Sequence, residues 1–101
     1  MTIKQLAIRT AVRIVARAWG SREDHTACPL AAMCLLRGVD IRHAWDKADA
    51  AATALKVSLY WVVGFNLGWD QDHTVSLSIE QPTRFVRGYR AGCRARKLYL
   101  R

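Results

Sequence analysis

Two glycine pairs four residues apart, Gly64/Gly68 and Gly88/Gly92, constrain this chain more than any other feature. Each pair lies in a stretch that otherwise reads as helix, SLYWVVGFNLGWD and TRFVRGYRAGCRARKLYLR. A glycine inside a helix costs about 1 kcal/mol relative to alanine, so the four together forgo roughly 4 kcal/mol, a large share of a small domain's stability. Close backbone approach is the usual compensation. Residues four apart share one helix face, so each pair leaves a smooth groove for a second helix. The expectation is that these two helices cross groove to groove.

The remaining segments also read as helix. A first helix is expected from Thr2 to Trp19, with Ile3, Ala7, Ile8, Ala11, Val12, Ile14, Val15, Ala18 and Trp19 on its apolar side and Gly20 as its stop. Pro29 suits the first turn of a second helix, Cys28 to Arg37, which Gly38 ends. Asp40 is the expected cap of a third, Ile41 to Leu55. Ser58 can cap a fourth through Trp69, and Thr83 after Pro82 can start a fifth that runs to the end of the chain. Between them, Thr74–Ile79 alternates apolar and polar residues and reads as extended. The fold class is therefore all-α: a compact single domain over residues 1–101 with four to five helices.

At 101 residues and 51% apolar composition the chain can bury a modest core without disulfides or metal. Cys28, Cys34 and Cys93 are an odd number in apolar surroundings, which suits reduced thiols and a cytoplasmic setting. The net charge of +8 is segregated. Residues 1–19 carry four cations and 83–101 carry seven, with no acid in either, while the middle is net −3. Eight acids cover at most half of sixteen cations, so a basic surface is expected even if every acid is paired.

Part of that charge is patterned. Arg87, Arg90, Arg94, Lys97 and Arg101 are spaced 3, 4, 3, 4, and at 3.6 residues per turn they fall within an arc of about 80°. Arg9, Arg13 and Arg17 repeat the pattern on the first helix. Cations one turn apart suit a row of phosphates or an acidic protein surface. The plainer alternative is a solvated face that keeps a small protein soluble.

Residues 48–65 follow the spacing of a helix-turn-helix, with Ala52, Val62 and Phe65 at core positions and the turn at Lys56-Val57-Ser58. Leu59, Tyr60, Trp61, Val63 and Asn66 would form the outward face of the second helix. Base reading asks for Arg, Lys, Asn or Gln there. The unit is therefore expected to be structural, with that face against the last helix. A DNA-binding transcriptional regulator is the alternative, and a protein–protein interaction module using Trp45, Trp61 or Trp69 is another.

His25, Cys28, Cys34 and His43 lack the paired spacing of a zinc site, and Asp70-Gln71-Asp72-His73 lacks the glycine and distal glutamate of a calcium loop. There is no phosphate loop, nucleophile elbow or dinucleotide motif. No metal, no cofactor, no small-molecule substrate and no catalysis are expected. The basic first helix has the look of an interfacial membrane helix, but its apolar face is assigned to the core and membrane binding is not expected.

Cys28-Pro29-Leu30, Trp61-Val62-Val63-Gly64-Phe65 with Gly68-Trp69-Asp70, and Gly88-Tyr89 with Gly92 together resemble small uncharacterised helical proteins of bacteria and their phages. The scattered match covers residues 28–96. Trp69 stands where Phe is expected, and the arginine content is higher than usual. The resemblance implies a mobile-element accessory protein, of the kind that acts against host defence in the manner of anti-CRISPR proteins by occupying a surface.

Overall fold

The computed structural model describes residues 1–71 and 82–100. Five helices and one two-stranded parallel ladder make up its regular structure among the described residues, so the protein is mostly helical. Backbone contacts group the chain into two units, Met1–Lys56 and Val57–Arg101. The expected extended segment Thr74–Ile79 lies outside the described residues.

The first unit begins with α1 (Ile3–Thr10). Thr2 Oγ1 accepts from the Gln5 N–H at 3.1 Å and Gln5 Oε1 accepts from the Thr2 N–H at 2.8 Å, a reciprocal capping box. The helix stops nine residues before expectation. Ala11 turns left-handed at φ 56°, and β1 (Arg13–Ile14) then pairs in parallel with β2 (Thr26–Ala27). The apolar periodicity that suggested helix to Trp19 is equally a β-branched run, Val12, Ile14 and Val15, and its strand preference prevails. Gly20 is therefore no helix stop. It lies where the chain passes β2 at φ 119°, and a Cβ there would fall 2.5 Å from the Ala27 Cα.

α2 (Pro29–Leu36) is apolar all round and is the central helix of this unit, with Leu30, Ala31, Ala32 and Cys34 at most 3% exposed. Pro29 occupies its first position, and the Cys28 thiol accepts from the Ala31 N–H at 3.4 Å as its cap. α3 (Lys47–Leu55) starts six residues later than expected. Asp46 caps it, accepting from the Asp49 N–H at 3.0 Å, because Asp40 is held by Arg42. Leu6, Ile14, Ile41, Ala51 and Ala52 are also buried.

The second unit is a helix pair, α4 (Leu59–Trp69) and α5 (Thr83–Tyr99). Ser58 caps α4 by accepting from the Tyr60 N–H at 3.2 Å. The glycine pairs meet as expected. Gly64 faces the Phe85 carbonyl, Gly68 that of Tyr89, Gly88 that of Trp61 and Gly92 that of Phe65. Positions advance together along both helices, so α4 and α5 run parallel. Each glycine directs a Cα–H at a carbonyl of the other helix, the weak contact typical of closely packed helix pairs. No side chain fits in that space: a Cβ at Gly64 would lie 2.9 Å from the Tyr89 nitrogen, and one at Gly92 would lie 2.7 Å from that of Trp69.

Candidate functional site

The crossing fixes the rotation of α5 about its own axis, and this determines which side chains the helix presents. Phe85, Gly88 and Gly92 are buried on the side of α4. At 100° per residue the opposite side carries Arg87, Arg90, Arg94 and Lys97, and all four are exposed. They form one line about 15 Å long, taking the helical rise of 1.5 Å per residue. Arg101, the fifth expected member, lies outside the described residues. α5 contains no acid, and none of the four ridge cations is in a salt bridge among the described residues. On one flank the line is bordered by exposed Leu98 and half-buried Ala91 and Ala95, and on the other by half-buried Val86 and Cys93.

The second expected stripe does not form. Arg9 is exposed in the last turn of α1, Arg13 lies on β1, and Arg17 sits in a bend at φ 61°. A helix that ends at Thr10 cannot align them. They stay at the surface of the first unit without sharing a helix face.

Arg96 is a cation whose separate role the sequence did not announce. It extends the buried face of α5 and places its guanidinium 5.2 Å from the centre of the Trp69 ring, which in turn lies 5.6 Å from the Tyr99 ring. Its Nε is buried and makes no hydrogen bond among the described residues. Spacing could have found it, since 85, 89, 92, 96 and 99 recur at helical period on one side.

The other charged arrangement is Arg42 with Asp40. The guanidinium grips the carboxylate with Nε 2.8 Å from Oδ1 and Nη2 2.7 Å from Oδ2, and its Nη1 lies 3.3 Å from the Thr26 carbonyl. These hydrogen bonds hold the Asp40 carboxyl down to about 2. The pair ties residues 40–42 to the strand that pairs with β1, so its role is structural.

The outward face of α4 departs from expectation. The side against α5 is Trp61, Gly64, Phe65 and Gly68, with the Trp61 and Phe65 rings stacked at 5.2 Å. Leu59, Tyr60 and Val63 are exposed and border a shallow apolar hollow with Pro82 and Phe85. Ala52 is buried in the first unit and Val62 and Phe65 in the second, and Lys56 adopts the left-handed turn conformation at φ 57° without a glycine. Trp69 is 1% exposed and Trp61 is half-buried, whereas Trp45 is fully exposed.

Among the described residues no three His, Cys, Asp or Glu side chains converge, so His25, Cys28, Cys34 and His43 do not form a cluster. No single helix among them is long and apolar enough to cross a membrane. Cys28 and Cys34 are buried and Cys93 is half-buried. No protein-family model, curated protein or solved structure matches the chain.

Proposed function

We propose that this protein is a non-enzymatic binding protein that engages a polyanion, nucleic acid or an acidic nucleoprotein or protein face, through Arg87, Arg90, Arg94 and Lys97. One observation carries the reading: four exposed cations lie in register on the side of α5 opposite the glycine crossing, without an acid to pair them among the described residues. Like charges one turn apart repel by a few tenths of a kcal/mol per pair. A solvating surface has no need to align them, whereas a bound anion relieves the repulsion at every position. Arg9, Arg13 and Arg17 add positive charge to the first unit but are not part of the ridge. A phage or mobile-element origin and an anti-defence role belong to the same proposal and rest on the sequence resemblance.

The test is fluorescence anisotropy with labelled nucleic acid, comparing the protein with its Arg90→Glu/Arg94→Glu variant. Both sites are exposed, so the circular-dichroism melt should stay in place while binding is lost. Unchanged binding by the variant overturns the assignment. Trp45 supports a second reading, a protein–protein module, because an isolated exposed tryptophan is a frequent anchor of such contacts.

A further inference from the structure

We infer that the polyanion is a double-stranded nucleic acid, held along its phosphate backbone without reading of sequence. This rests on the polyanion reading above and narrows it by what the ridge lacks. Proteins that hold single strands combine a cationic groove with aromatic side chains on which successive bases stack. On α5 every aromatic points the other way. Phe85 is buried, Tyr89 and Tyr99 are half-buried on the crossing side, and the flanks of the ridge carry Ala91, Ala95 and Leu98 on one side and Val86 and Cys93 on the other, none of them aromatic. The ridge is also convex, because it is the outer surface of a helix whose inner side is closed against α4. A single strand finds neither platform nor groove there.

A duplex needs neither. Its phosphates are already ordered, with one charge per about 1.7 Å of axis when both strands are counted, so a ridge of roughly 15 Å lies among several of them. Four long cationic side chains can therefore each reach a phosphate there. Arg and Lys donate to phosphates and, among the bases, to guanine, whereas adenine and cytosine are read by Asn, Gln, Asp or Glu. Asn, Gln, Asp and Glu are absent from the whole of α5, so beside the exposed Leu98 the ridge carries donors alone and lacks the acceptors that reading a mixed sequence requires.

The test is a set of anisotropy titrations against duplex DNA, duplex RNA and single-stranded DNA of equal length and against polyglutamate. The duplexes should bind at least about tenfold tighter than the single strand, which has lost its stacking platform. With four phosphates neutralised, affinity should fall about 150-fold between 50 and 200 mM salt, and Arg90→Ala should lower the logarithmic salt slope by about 0.9. Two duplexes of permuted sequence should bind alike. Equal or tighter binding of the single strand, or of polyglutamate, overturns the duplex assignment and leaves the polyanion reading standing. A strong preference between the permuted duplexes overturns the claim that sequence is not read. Binding to none of these probes at 50 mM salt overturns both. Comparing duplex RNA with duplex DNA tells which form supplies the phosphates, and a preference for either supports the assignment.

Discussion

The Cα of Gly88 faces the Trp61 carbonyl oxygen with no room for a methyl group between them. The nearest Trp61 atoms are all backbone, so no side chain can swing aside. Gly88→Ala gains about 1 kcal/mol of helix propensity, but forced separation of α4 and α5 should outweigh it, for a net loss of about 3 kcal/mol. Gly38→Ala is the comparison. Nothing lies within 4 Å of a Cβ there, and only its φ of 81° resists the change, at about 1–2 kcal/mol. Chemical denaturation measures both. A midpoint for Gly88→Ala as high as that of the parent would mean that the helices separate at little cost.

The thiols should differ in reactivity. Burial raises the Cys34 thiol to about 11 and leaves it 0% exposed. The thiolate is the reactive form, so Cys34 is doubly protected at neutral pH. Cys93 is half-buried. With a disulfide reagent at pH 7.5, Cys93 should label first and Cys34 only on the timescale of unfolding, as peptide mapping would establish. Prompt labelling of Cys34 in the native state would contradict the packing of α2.

Much of this was readable from the chain, for identifiable reasons. Pro29 and Gly38 bracket α2, Ser58 starts α4, and the glycine pairs announced a crossing because their propensity cost needs a compensating contact. The parallel direction was not readable, since spacing alone fits either sense. Two elements were misread where one residue pattern served two structures. Val12, Ile14 and Val15 fit a helix face and a strand equally well. Asp40 and Asp46 are both good caps, and the choice between them was decided by Arg42, which engages Asp40 through its own backbone N–H at 3.0 Å as well as its side chain. The ridge on α5 was legible because its helix formed as expected, and the Arg9, Arg13 and Arg17 stripe failed with the helix that should have carried it.

Asp40 should make stability sensitive to acid. Its folded pKa of about 2 lies below the ordinary value of 3.8, chiefly through its hydrogen bond with Arg42. A depressed carboxylate contributes stability that is complete above its unfolded pKa and is lost as pH falls through the folded one. Asp40→Asn should therefore cost about 1 kcal/mol at pH 7, allowing for partial solvent screening. That difference from the parent should shrink between pH 4 and pH 2. Urea denaturation over this range measures it, and a difference that did not vary with pH would remove the ion pair as its cause.

Trp45 separates the two functional readings. Its side chain is fully exposed, so Trp45→Ala should change stability by less than about 0.5 kcal/mol. If the ridge is the binding surface, the variant should keep the parent's affinity for duplex DNA. Loss of partner binding in Trp45→Ala, with binding retained in Arg90→Glu/Arg94→Glu, would favour the interaction-module reading.

Arg94 and Arg96, two positions apart on one helix, should have separable effects. Arg94 is exposed on the ridge, whereas Arg96 lies over Trp69 with a buried Nε. Arg94→Ala should leave stability within about 0.5 kcal/mol of the parent while weakening duplex binding and lowering the salt slope. Arg96→Ala gives up a cation–π contact and the packing of its aliphatic stem, so it should cost about 1–2 kcal/mol of stability. Its salt slope should stay unchanged, because the guanidinium is directed at Trp69 and not at the ridge. Denaturation midpoints and salt titrations on the two variants complete the comparison. If both variants lost affinity equally at equal stability, the binding surface would extend around the helix, and the division of α5 into a packed face and a binding face would be wrong.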